Sequence, residues 1–188
     1  MLLVSTSEEW VKTVLQDFDA FLLDHAACER KASSMAMSMI CHYPDKLKLV
    51  GAMTDLALEE MQHFKQVMKH ILSRGLIMPP DVKDPYVVGL RNEMRKGTDV
   101  FFLDRLLVAS IVEARGAERF KLVADHVEDA SLKSFYDAIA RSEERHYELF
   151  LDLAKVYFPE ATIKERLDAL LDVEASIVSA LPLRAALH

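Results

Sequence analysis

Glycine and proline are scarce in this chain of 188 residues, five and six respectively, which excludes a fold assembled from many tight turns. Runs of β-branched residues are also missing, so the 51% hydrophobic content, rich in Ala, Leu and Met, points to helix rather than sheet. Only two cysteines are present, Cys28 and Cys41. They fall in one predicted helix, about 20 Å apart along its axis, too far to pair within it, so reduced thiols and a cytoplasmic location are expected. The stretch from Met1 to Trp10 has no basic start and no apolar core of a signal peptide, and no apolar run approaches the length of a membrane span. Positive charge is in deficit as well. The formal net charge of −7 argues against a broad nucleic-acid footprint and leaves room only for a local basic patch.

The length suits one domain covering residues 1–188. Ser7 followed by Glu8 and Glu9 marks a helix start near residue 7, leading into a long helix that ends near His42. Tyr43-Pro44 breaks it, and Pro44 suits the first turn of a second long helix, about 44–74, stopped at Gly75. The crossover, about 75–97, holds three prolines and a short helix around Val87 to Arg95. Thr98 or Asp99 caps a third long helix reaching about His126, Asp129 to Ser131 starts a fourth ending near Tyr157, and Phe158-Pro159 introduces a fifth. The last carries Ile163, Leu167, Leu170, Leu171 and Val173 on one side and packs outside the bundle.

Two copies of one pattern stand out. Glu29 precedes Glu60-Met61-Gln62-His63, and Glu113 precedes Glu143-Glu144-Arg145-His146, at intervals of 31 and 30 residues. Residues three apart share a helix face, so each half offers a carboxylate on one helix and a Glu–His pair on the next. Leu56, Met53, Phe64 and Val67 flank the first pair; Ile139, Phe135 and Phe150 flank the second. Charges on apolar stripes need partners, and metal ions supply them. Oxygen-rich ligation with two imidazoles suits iron or manganese, in the ligand set of ferritin-like carboxylate proteins. The expected fold is therefore all-α: a ferritin-like four-helix bundle of two helical hairpins joined by a long crossover, with a short N-terminal helix and a C-terminal fifth helix. Glu59, Glu144 and Glu118 break the repeat interval or the helix phase and are read as outside the ligand set. His25, one turn before Glu29, is either a core histidine or the group that orients that carboxylate. His42, His70, His126 and His188 read as surface residues, and Met35, Met37 and Met39 as core filler.

The stretch Leu23-Asp24-His25-Ala26-Ala27-Cys28-Glu29-Arg30-Lys31-Ala32 resembles a segment of the tRNA hydroxylase (MiaE) family. So do Val112-Glu113-Ala114-Arg115-Gly116-Ala117-Glu118-Arg119-Phe120, the residues Glu60 to Phe64 and Ser142 to Tyr147, and Thr6 to Trp10. The resemblance spans roughly residues 3 to 175, departing at Gly116-Ala117, where Ser-Cys is expected, and in the tail Leu183 to His188. It implies a di-iron monooxygenase that uses dioxygen and a reductase to hydroxylate the isopentenyl group of 2-methylthio-N6-isopentenyladenosine beside the tRNA anticodon. It also implies that Glu29, Glu60, His63, Glu113, Glu143 and His146 bind the two irons.

A tRNA substrate requires phosphate contacts, for which Lys83, Arg91, Arg95 and Lys96 in the crossover and Arg115 and Arg119 beside Glu113 are candidates. The competing readings are a ferritin-like iron-storage protein, a di-metal peroxidase, and a bundle without metal. No C-x-x-C pair is present, which counts against a rubrerythrin-type peroxidase. The fifth helix and the crossover favour a monomer or small oligomer over a cage.

Overall fold

The computed structural model describes residues 2–188, and seven α-helices, with no strand, account for the regular structure of those residues. In chain order they are α1 (Glu8–Gln16), α2 (Phe18–His42), α3 (Leu47–Ser73), α4 (Pro85–Asn92), α5 (Thr98–His126), α6 (Ala130–Tyr157) and α7 (Glu160–Ala180). Among the described residues no helix is long and apolar enough to cross a membrane. The chain divides into two compact units: residues 12–82 with 184–187, built on the α2–α3 hairpin, and residues 1–11, 83–183 and 188, built on α5–α6.

In the α2–α3 unit, Asp17 separates α1 from α2 and its carboxylate accepts the Ala20 N–H at 3.2 Å, an N-cap that satisfies a donor the helix cannot. α2 buries Phe21, Leu22, Ala26 and Met39, and α3 buries Leu49, Met53, Leu56, Val67 and Ile71, rows that recur at helical spacing. Ser33 pins the hairpin by donating its hydroxyl to the Ala57 carbonyl at 2.9 Å. Pro44 lies in the turn before α3, because the helix begins only at Leu47. Gly75, at φ +70°, ends the helix in the left-handed conformation while the Leu76 N–H reaches back to the Ile71 carbonyl at 3.1 Å.

In the α5–α6 unit the crossover helix begins earlier than its sequence suggests. Pro85 occupies the first turn of α4, and Asp84 caps it by accepting the Tyr86 N–H at 2.8 Å and the Val87 N–H at 3.4 Å. Gly97 is the N-cap of α5, so neither Thr98 nor Asp99 caps it; Thr98 is already helical. Asp129 caps α6 as expected, accepting from Ser131 and Leu132. Helix α7 packs on α4, α5 and α6. Its approach to α4 is close at Gly89, where a Cβ would sit 2.9 Å from Ile177 Cδ1.

Two expectations for single residues fail. His188 is buried, because its ring stacks on Tyr86 at 4.7 Å and its Nδ1 lies 2.9 Å from Asp84 Oδ2. Met37 is 51% exposed, since its position on α2 turns away from the row made by Ala36 and Met39.

Candidate metal centre

Each unit assembles one triad. In the α2–α3 unit, Glu29 comes from the middle of α2, and Glu60 and His63 from one face of α3; all three are buried. His63 Nδ1 lies 3.5 Å from Glu29 Oε2 and 3.5 Å from Glu60 Oε2. In the α5–α6 unit, Glu113 comes from α5, and Glu143 and His146 from α6, all buried. His146 Nδ1 lies 3.9 Å from Glu113 Oε2 and 3.5 Å from Glu143 Oε2. In both halves the nitrogen nearer the backbone faces the carboxylates.

The donor set fits a metal. In each triad the histidine Nδ1 stands 3.5 to 3.9 Å from an oxygen of both glutamates, inside the ~4.2 Å that separates donors bonded to a common ion at about 2.1 Å. Two buried carboxylates against one imidazole are a poor ion pair for a protein interior and a good ligand set for a hard or borderline cation.

The surroundings of the triads differ. His25 Nε2 lies 2.6 Å from Glu29 Oε1, so the carboxylate is held on the side away from His63, the arrangement that fixes a ligand's orientation. Glu59, set aside by its spacing, stands 4.0 Å from His63 Nε2 with its side chain 40% exposed, so this triad has a carboxylate at its solvent edge. Counting by the repeat, the matching positions in the other half are Ala109 and Ser142. Ser142 is buried and accepts a hydrogen bond from Arg145 at 3.0 Å. Glu144 is exposed, and Glu118 turns to Arg115 and Thr6.

Behind Glu113 lies a network that the sequence reading missed. Arg115 and Glu174 are fully buried, with Arg115 Nη2 2.7 Å and Nε 2.9 Å from Glu174 Oε1, and the Tyr86 hydroxyl donates to the same oxygen at 3.0 Å. The Arg115 guanidinium also reaches the Val4 carbonyl at 2.8 Å and Thr6 Oγ1 at 3.1 Å, and pairs with Glu118. Burial opposes the charge on Arg115, but Glu174 and Glu118 hold its pKa above the usual value. Burial, with the charge of Glu174, pushes the Tyr86 hydroxyl well above its ordinary pKa. Arg119 lies 4.9 Å over the Trp10 ring; burial beside Arg115 lowers its pKa to about 10. The clue was available: Glu174 follows Leu170 and Leu171 at helical spacing, a carboxylate on an apolar stripe.

This network corrects the expectation that Arg115 and Arg119 contact substrate, because both are buried and spent on internal partners. Arg95 is similarly committed. Its guanidinium grips the buried Asp104 at 2.7 Å, Arg166 binds the same carboxylate at 2.8 Å, and although burial opposes ionisation the two arginines hold the Asp104 pKa below its usual value. Lys83, Arg91 and Lys96 are exposed.

Helices that pair buried glutamates with an E-x-x-H histidine in each of two hairpins define a ferritin-like, carboxylate-rich metal protein. A solved structure from Synechococcus, described as protein 43 with aldehyde deformylating oxygenase activity, matches the fold at TM-score 0.93 and 36% identity, over 98% of this chain and 92% of that one. The family described as tRNA-(MS[2]IO[6]A)-hydroxylase (MiaE) matches residues 1–188, and the chain belongs to that family. A tRNA 2-(methylsulfanyl)-N(6)-isopentenyladenosine(37) hydroxylase from Pseudomonas putida is 36% identical over 92% of this chain and 84% of its own length. The enzyme of the same name from Salmonella typhimurium is 30% identical over 87% of this chain, which spans 62% of that longer protein.

Proposed function

We propose that this chain hydroxylates the isopentenyl group of 2-methylthio-N6-isopentenyladenosine in tRNA, as the names of its relatives describe for them, and that residues 1–188 act as one catalytic domain in the cytoplasm. The observation that carries the reading is the pair of matched, buried Glu–Glu–His triads in a chain that the family covers from end to end. Glu29, Glu60 and His63 with Glu113, Glu143 and His146 are proposed to hold a centre of about two iron ions. Such a centre, when bound, supplies the electrons that activate dioxygen. One oxygen atom enters a C–H bond and the other leaves as water, so a reductase must supply the balance of electrons.

The chain's own residues set the conditions for that chemistry. Burial of all six ligands keeps bulk water from the carboxylates. His25 fixes the plane of Glu29, and the Arg115–Glu174 pair anchors α5 two residues beyond Glu113, so that this ligand is presented by an immobilised helix. Lys83, Arg91 and Lys96 are proposed phosphate contacts, and a monomer or small oligomer is the proposed state.

Metal analysis and nucleoside analysis test the reading together. The purified protein should hold about two irons per chain and lose them in Glu60→Ala and His146→Ala. With a reductase system and dioxygen it should convert the isopentenyl nucleoside of tRNA to its hydroxylated form. Iron retention with unchanged tRNA would leave an iron-binding protein and defeat the hydroxylase assignment.

A further inference from the structure

Charge is divided unequally between the two units. The α2–α3 unit carries nine acidic and nine basic side chains, so the formal −7 of the chain falls wholly on the α5–α6 unit. Within the neutral unit, Glu29 and Glu60 are buried as ligands, and several other acids serve internal contacts. Asp19 pairs with Arg74 at 2.8 Å, Asp81 is shared by Arg30 and Lys31, and Asp24 accepts the Leu187 N–H at 2.7 Å.

One stretch of this unit holds bases without acids. From Met61 to Pro80 the chain holds Lys65, Lys69 and Arg74 and no Asp or Glu, the longest stretch of the sequence without a carboxylate side chain. Lys65 and Lys69 are exposed on α3 and have no ion-pair partner among the described residues. Several exposed lysines of the other unit are neutralised locally, Lys155 by Asp152, Lys164 by Asp168 and Lys121 by Asp125, whereas Lys83 and Lys96 are not ion-paired among the described residues. Lys65 and Lys69 stand about 6 Å apart along the helix axis, close to the interval between successive phosphates of an RNA strand. Gln62 and Gln66 are exposed beside them and add amide donors.

We infer that the outer face of the C-terminal half of α3, formed by Gln62, Lys65, Gln66 and Lys69, is a docking surface for the sugar–phosphate backbone of the substrate RNA. This inference rests on the tRNA reading above. Ammonium and amide groups donate to phosphate and ribose oxygens and fix position without reading sequence. On a chain of net negative charge, a helix segment that carries exposed lysines and no acid of its own is where a polyanion meets little repulsion. The placement has a catalytic consequence, because Lys65 is two residues from His63, about 200° around the same rigid helix. RNA held on the outer face is therefore registered against the helix that carries two ligands inward.

The test is fluorescence anisotropy with the iron-loaded full chain and an anticodon stem-loop carrying the isopentenylated adenosine, across a salt series. Lys65→Ala/Lys69→Ala should weaken binding about tenfold and lower the log–log salt slope by about two, near one per lysine. Its iron content and melting temperature should match the wild type, which separates lost docking from lost folding. A wild-type protein that fails to bind the stem-loop overturns the tRNA reading together with the surface. Wild-type binding that the double variant retains, with an unchanged salt slope, overturns the surface alone. So does a loss confined to Lys83→Ala/Arg91→Ala. Unaltered RNA binding with slower reductase-driven turnover would mark the face as the electron donor's contact and also overturn the proposal.

Discussion

The two hairpin units present the same triad, with the same histidine nitrogen turned to the carboxylates, yet embed it differently. Around Glu29 and His63 the neighbours are ionisable, His25 at 2.6 Å and Glu59 at 4.0 Å from their respective partners. The positions that correspond by repeat in the α5–α6 unit are Ala109 and Ser142, and its charged network lies farther back, in Arg115, Glu174 and Tyr86. Triad geometry comes from helix spacing and can be duplicated; the means of holding it in place need not be. One unit steadies a triad side chain, Glu29, whereas the other steadies the helix that bears Glu113.

The largest test of that contrast is Arg115→Ala, which leaves Glu174 charged and buried and should cost about 3–5 kcal/mol in urea unfolding. An arginine pair of the other unit, Arg30 with Asp81, is substantially exposed, so Arg30→Ala should leave the urea midpoint nearly unchanged. Comparable losses would erase the distinction. His25→Ala should lower iron affinity about 10- to 100-fold by releasing Glu29, with little change in melting temperature at saturating metal. An unchanged iron titration would show that α2 alone orients the carboxylate.

A smaller effect concerns pH. The Asp84 carboxyl sits at about 2 instead of 3.8; burial works against its charge, but His188 and the N–H groups of Tyr86 and Val87 more than offset it. A depressed folded-state pKa gives stability that is present above the unfolded value and lost as pH falls through the folded one. Asp84 should therefore contribute about 2 kcal/mol above pH ~4, fading towards pH ~2. Asp84→Asn should flatten that part of the urea-midpoint profile. Gly89→Ala should change stability least: the added Cβ gains up to about 1 kcal/mol of helix propensity, offset by pushing back Ile177, whose Cδ1 and Cγ1 would lie 2.9 and 3.3 Å away. A loss above ~2 kcal/mol would mean that α4 and α7 cannot separate locally.

Helix positions were legible in the sequence because breakers and caps act locally; Asp129 predicts the start of α6 without tertiary information. The grouping of the two Glu–Glu–His triads was legible because a doubled interval is a pattern in one dimension. Arg115 and Arg119 were misread because an arginine beside a carboxylate looks the same whether it meets solvent or Glu174, which is 59 residues from Arg115 in the chain. The burial of His188 depends on Asp84 and Tyr86, more than a hundred residues earlier. Glu59 breaks the repeat spacing, yet a long side chain one turn from His63 can approach its outer nitrogen without joining the triad.

Because Nδ1 is the inward atom of both histidines, each imidazole works as a short arm. An asparagine amide reaches about as far from the backbone as Nδ1, whereas a glutamine amide reaches the region of Nε2. His63→Asn and His146→Asn are therefore the conservative replacements at these positions, and glutamine, the usual imidazole substitute of the laboratory, would overshoot the carboxylates it was meant to meet.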